Sequence, residues 1–220
     1  MSAASIIRAL ESLSFDNTFN PYFDRCAIYD TAEAPDLRRH SLLQMLDQAS
    51  RIELGAIWVG RDLGYRGGRR TGLAFTDDIH FADHLARWNL VPENLNQGAL
   101  ISERTAAVVW DVLNRVVSPV FLWNVFPLHP FNTDDEFSNR AHNASERKAG
   151  IDILKSIVEY LAPRSLVAIG NDAFNVLSAA FPSQRIYKVR HPSYGGQKEF
   201  LANMKLMYPE ALSSTQNDLN

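Results

Sequence analysis

Four short apolar runs decide what this chain can fold into. Gly55 to Gly60, Pro119 to Asn124, Ser165 to Gly170 and Arg185 to Arg190 are too short for helices and rich in β-branched and aromatic residues. Each ends in Gly, Asn or a basic residue that opens a polar loop. Between them apolar residues recur at helical spacing over Asp36 to Ala49, Ala99 to Val117 and Ser145 to Leu161, the last opened by Ser145 and closed before Pro163. A further helix is expected from Asn171 or Asp172 to just before Pro182. Strand-like runs alternating with helices are the pattern of a parallel sheet covered on both faces. The expected fold is α/β, a three-layer sandwich with a central four-stranded parallel sheet flanked by helices.

With 220 residues, 46% of them hydrophobic, the chain can bury one substantial core. A single domain over 1–220 is expected, with no internal repeat, a motif-bearing core at 55–196 and a polar, fraying tail from Ser213. Cys26 is the only cysteine, so the chain cannot build a disulfide framework, an iron-sulfur cluster or a Cys-rich zinc site. No metal and no cofactor are expected, and the thiol reads as a reduced small hydrophobe. No segment approaches the roughly 18 uninterrupted apolar residues of a membrane span, and the first residues lack a signal-peptide pattern. The expectation is a soluble, cytoplasmic monomer without membrane attachment. A net charge of -3 argues against a non-specific nucleic-acid coat and leaves room for a local basic patch.

In open α/β sheets ligands bind at the carboxyl ends of the strands, which makes the residues after each run the ones to inspect. After the first comes a Gly-rich loop from Gly60 to Asp78 carrying Asp62, Tyr65 and the arginines 61, 66, 69 and 70. After the second comes Asn124-Val-Phe-Pro-Leu-His-Pro130, and after the fourth His191-Pro-Ser-Tyr-Gly-Gly196. An acid, an amide, an imidazole and an aromatic are thus placed to converge on one pocket.

These segments, in this order, resemble the motifs of the uracil-DNA glycosylase superfamily. Gly60-Arg-Asp-Leu-Gly64 and Gly72-Leu-Ala-Phe-Thr76 resemble its first motif, and His191-Pro192-Ser193 its last. Asn124 corresponds to its strand-end asparagine, and Trp123 to Pro130 and Ser138-Asn139-Arg140 resemble segments of bacterial relatives. The likeness spans about Gly55 to Gly196 and implies hydrolysis of the bond between a flipped-out base and its sugar in single- or double-stranded DNA.

The residue types suit that chemistry. Asn124 offers a donor and an acceptor to the N3–H and O4 edge of uracil, and Phe75 offers a face for the flipped ring. Negative charge develops on the departing base and positive charge on the sugar. His191 is the expected donor to the base oxygen, and Asp62 the carboxylate that holds water and offsets charge at C1′. Gly60, Arg61, Gly64 and Tyr65 complete the expected base-binding set. Ser193, Tyr194, Gly195, Arg66, Arg69, Arg70, Lys188 and Lys198 are expected to meet DNA, the cations and the glycine-rich backbone on phosphates. No lysine in the motif segments is assigned as a Schiff-base former, which implies water as nucleophile.

Blander readings stand beside these. A strand-end Asp beside Gly is commonly a turn or helix cap, Phe75 and Trp123 suit a core, and His129 is expected to be structural. The arginine run is by default a solvated loop face, while its three glycines favour phosphate contact. The chain departs from the family pattern at Leu63, where a Pro is usual, and at Gly64, where uracil-selective relatives carry a tyrosine that excludes the 5-methyl of thymine. Gly64 leaves room for larger bases unless Tyr65 folds in. Tyr194 stands where many relatives place an apolar wedge, and serves as one unless the substrate is single-stranded. Three readings therefore remain: a uracil glycosylase, a glycosylase for hypoxanthine, xanthine or mismatched thymine, and a non-catalytic base-binding module. Asp62 argues against the last.

Overall fold

The computed structural model of the protein describes residues 1–209, so the tail from Ser213 lies outside the described residues. Its strands are β1 (Thr18–Phe19), β2 (Ala56–Asp62), β3 (Val120–Phe126), β4 (His129–Pro130), β5 (Leu166–Ile169) and β6 (Ile186–Val189). Its helices are α1 (Ala3–Glu11), α2 (Ala34–Ala49), α3 (Gly68–Thr71), α4 (Phe81–Ala86), α5 (Arg104–Leu113), α6 (Ala144–Leu161), α7 (Asn171–Ala180) and α8 (Gln197–Met207).

The four apolar runs form one parallel sheet in the order β3-β2-β5-β6, as expected. Strand alternation sorts the core into two layers. Ile57, Val59, Phe121, Trp123, Leu166 and Ala168 face α1, α2, α6 and α7. Trp58, Leu122, Val167, Ile169 and Val189 face α5 and α8 on the other side. The register sets Gly60 opposite Asn124 and Asp62 opposite Phe126, so the chemically loaded ends of β2 and β3 lie side by side.

Several boundaries differ from expectation. The helix expected from Ala99 begins at Arg104. Side chains of the preceding loop capture the backbone N–H groups ahead of it: Ile101 donates to Asp78 at 3.0 Å and Glu103 to Asp77 at 2.6 Å. Helix α6 is opened by Asn143, not Ser145. Asn143 accepts from the Glu146 N–H while the Glu146 carboxylate takes the Asn143 N–H, a reciprocal capping box. Part of the Gly-rich loop is the short helix α3, closed by Gly72 at φ 74°. The pairing of β1 with β4, which ties the N-terminal arm to the segment after β3, has no counterpart in the sequence reading. No helix among the described residues is long and apolar enough to cross a membrane.

Candidate active site

A cavity of about 460 Å³ opens at the carboxyl ends of the strands, within the size range of small-ligand sites. Asp62, Gly64, Phe75, Asn124 and His191 line it, joined by Arg61 and by Asn139 and Arg140 from the segment after β4. Among the described residues no group of three or more His, Cys, Asp or Glu side chains is arranged to hold a metal ion.

Asn124 is 3% exposed, and among the described residues its amide makes no hydrogen bond. The amide lines the cavity, so its donor and acceptor are open to a ligand edge. Gly60 makes the arrangement possible from beneath. A Cβ there would fall 2.5 Å from Asn124 Oδ1 and 2.4 Å from Phe75 Cζ, so only glycine lets both groups sit over the strand end. Gly60 therefore lies beneath Asn124 and Phe75, the two side chains expected to hold a base, rather than beside them. Phe75 takes a left-handed backbone, φ 53°, and its carbonyl accepts from the Trp110 indole at 3.0 Å. Strain of this kind costs about 1–3 kcal/mol and persists where surrounding structure enforces it. Its ring lies 6.4 Å from that of His191.

His191 is fixed by its own loop. The Ser193 hydroxyl lies 2.7 Å from Nδ1, and the Ser193 N–H donates to the same nitrogen at 3.2 Å. Nδ1 is thus an acceptor, and the ring proton sits on Nε2. Burial, then the Arg61 and Arg190 guanidiniums, lowers the imidazole to about 4, so at neutral pH it is an uncharged Nε2–H donor. Both donors of Ser193 are directed to His191 rather than outward to a phosphate.

Asp62 is held from both sides. Arg61 Nε donates to Oδ2 at 2.6 Å, and His142 Nδ1 hydrogen-bonds Oδ1. Arg147 Nε donates to His142 Nε2 at 3.2 Å, which leaves the His142 proton on Nδ1, pointing at Asp62. Sequence reasoning missed His142 and Arg147; Ser138-Asn139-Arg140 was the only nearby signal. Arg140 grips Glu146 at 2.6 and 2.8 Å and the Asn17 carbonyl at 3.1 Å, locking this segment to the N-terminal arm.

Two of the expected phosphate ligands are corrected. Arg69 is 0% exposed: it donates to the Tyr29 hydroxyl at 2.9 Å and to Glu136, and its guanidinium lies 3.9 Å from the Phe19 ring centre. Arg70 is also buried, donates to Asp78 at 2.8 Å and lies 4.1 Å from the Tyr29 ring centre. A cation enclosed by aromatic faces and a carboxylate has no route to a phosphate. His129 is buried and structural, as expected. It accepts from Arg69 on Nδ1, donates to the Ser138 carbonyl from Nε2, and is lowered to about 4 by burial and by Arg69. Trp123 belongs to the core.

Tyr65 is not among the cavity residues; its hydroxyl accepts from Arg66 Nε at 2.7 Å and its N–H donates to Asn139 at 3.0 Å. The carboxyl of Glu103 stands against Gly64 instead. Arg66 and Lys198 are exposed, and Tyr194, at φ 50°, is 99% exposed at the cavity mouth beside Gly195. Lys188 is exposed on β6 with its ammonium 5.1 Å from the Phe174 ring centre, away from the cavity lining.

The family model described as Uracil DNA glycosylase superfamily matches residues 49–213. No curated protein matches the chain in sequence. Among solved structures it is similar to wild-type SMUG2 from Pedobacter heparinus. The TM-score is 0.59 at 14% identity, over 93% of this chain and 94% of the other, a likeness of fold.

Proposed function

The chain belongs to the Uracil DNA glycosylase superfamily, and from that premise we propose that it hydrolyses the glycosidic bond of a flipped-out uracil in DNA, with water as nucleophile. The observation that carries this reading is the buried amide of Asn124, without a protein partner, in the same cavity as an uncharged Nε2–H donor on His191. An amide presents a donor and an acceptor together, which matches the O4 and N3–H edge of uracil and mismatches that of cytosine.

The reaction follows from these placements. Phe75 and Asn124 hold the base as the C1′–N1 bond breaks, and the electron pair leaves with the base onto O2, where His191 Nε2–H stabilises it. Water adds to C1′ and its proton passes to Asp62, which lines the cavity while His142 and Arg61 fix its orientation.

The test is cleavage, after alkali, of end-labelled oligonucleotides carrying one uracil. Wild type should excise it, and Asp62→Asn and His191→Ala should each lose about a hundredfold or more in single-turnover rate. No excision by folded protein that still binds DNA would overturn the assignment in favour of a binding module.

A further inference from the structure

One wall of the cavity is made by a residue that the mechanism above does not use. Glu103, immediately before α5, lines the cavity and lays its carboxyl over the glycine loop. A Cβ built on Gly64 would lie 3.2 Å from Oε1, and one built on Gly67 only 2.2 Å from Oε2. The two glycines make the space this carboxyl fills. Its backbone is pinned by the N–H bond to buried Asp77, yet among the described residues the carboxyl itself makes no hydrogen bond or ion pair. The carboxyl requires glycine at 67, but packing alone does not explain an acid in this place, since an apolar side chain would fill the same space without desolvating a charge.

A flipped base has two faces and three edges. On the reading above Phe75 takes a face and Asn124 the Watson–Crick edge, and the sugar edge must point to the cavity mouth for the base to stay attached to its strand. The wall formed by Gly64 and Glu103 is left to the remaining edge, C5–C6 in a pyrimidine and N7–C8 in a purine. We propose that Glu103 is a specificity-determining residue whose carboxyl hydrogen-bonds N7 of a flipped deaminated purine and so sets how this pocket ranks hypoxanthine against uracil. The inference rests on the glycosylase reading above and adds to it the residue that sets base preference.

The chemistry is that of an acid at the leaving group. The Glu103 proton passes to N7, the C1′–N9 bond breaks with its electron pair entering the ring, and the base leaves as a neutral tautomer. Water adds to C1′ and gives its proton to Asp62; solvent then reprotonates Glu103 and takes the proton from Asp62. Uracil has no acceptor on this edge, so its excision does not draw on the Glu103 proton. Burial raises the Glu103 carboxyl to about 7, neighbouring Asp77 adds to the rise, and Arg66 opposes it. Asp62, Arg61, Arg140 and His191 line the same cavity. The acid form is present below pH 7 and is lost as pH rises through it, so hypoxanthine excision declines relative to uracil excision above neutrality.

Single-turnover excision of one hypoxanthine and of one uracil, each in the same oligonucleotide, is measured from pH 5.5 to 8.5 for wild type, Glu103→Ala and Glu103→Gln. Wild type should excise both, with the hypoxanthine-to-uracil ratio falling about tenfold per pH unit above 7. Glu103→Ala should lower that ratio about a hundredfold. Glu103→Gln, which keeps the shape and a donor but no titratable proton, should give a ratio that no longer changes with pH. Wild type active on uracil but not hypoxanthine, an unchanged ratio in Glu103→Ala, or an undiminished pH slope in Glu103→Gln would each overturn this inference alone. Absence of uracil excision as well would overturn the glycosylase reading beneath it.

Discussion

The two side chains proposed to react, His191 and Asp62, share one rim and are held in opposite ways. His191 is oriented from two residues away, by the hydroxyl and N–H of Ser193 in its own loop. Asp62 is oriented by His142, 80 positions further along the chain, with Arg147 behind it. A group held by its own loop keeps its geometry wherever that loop is placed. A group held from a distance depends on everything that brings the two segments together, here the Arg140–Glu146 pair and the pairing of β1 with β4.

The distant support is the costlier one to lose. His142→Ala should lower kcat for uracil excision about a hundredfold with KM nearly unchanged, because misplacing a reacting group by about 1 Å has that effect. His142→Asn, whose amide keeps a donor, should restore part of it; failure to rescue would reduce His142 to a packing role. The imidazole of His191 supplies the next largest effect. Since only its uncharged form has Nδ1 free to accept from Ser193, the rate should pass pH 6.5 without change. It should decline about tenfold per unit as pH falls through about 4. A decline centred near 6.5, read from the kcat profile, would show that the ring is not held neutral. Ser193→Ala should cost only about five- to tenfold in single-turnover rate, since the backbone N–H at that position still reaches Nδ1. Equal losses at Ser193 and His142 would erase the contrast. Smallest of all, Lys198→Ala should weaken DNA binding uniformly across sequences and reduce the salt slope by about 1, measured by titration at several salt concentrations.

The same contrast explains what could be read from the sequence. β2, β3 and β5 were legible as apolar runs buried on both faces, and the edge strand β6, where Lys188 is exposed, by its β-branched and aromatic residues; the carboxyl-end rule then pointed to Asp62, Asn124 and His191. Each of these lies within two residues of the carboxyl end of a strand, so local sequence places it. His142 and Arg147 are set by the capping of α6 at Asn143 and by contacts of long sequence separation, which leave no periodic trace. Arg69 and Arg70 show the reverse failure. Basic residues among glycines read as a phosphate loop, and only the folded chain brings Phe19, Tyr29, Asp78 and Glu136 around them. Glu103 went unread because its neighbours, Gly64 and Gly67, belong to a different part of the chain.

The glycines under the cavity set how its preference can change by mutation. A single methyl at position 60 would strike Asn124 Oδ1 and Phe75 Cζ at 2.5 and 2.4 Å, so a substitution there displaces both groups proposed to hold the base. At position 64 the nearest obstacle, at 3.2 Å, is the far end of a flexible glutamate, which can swing away. The routes to a new base preference are therefore unequal: position 60 is a dead end, whereas positions 64 and 103 can vary together. A library that randomises that pair, screened against a panel of damaged bases, samples the part of the pocket that is free to evolve.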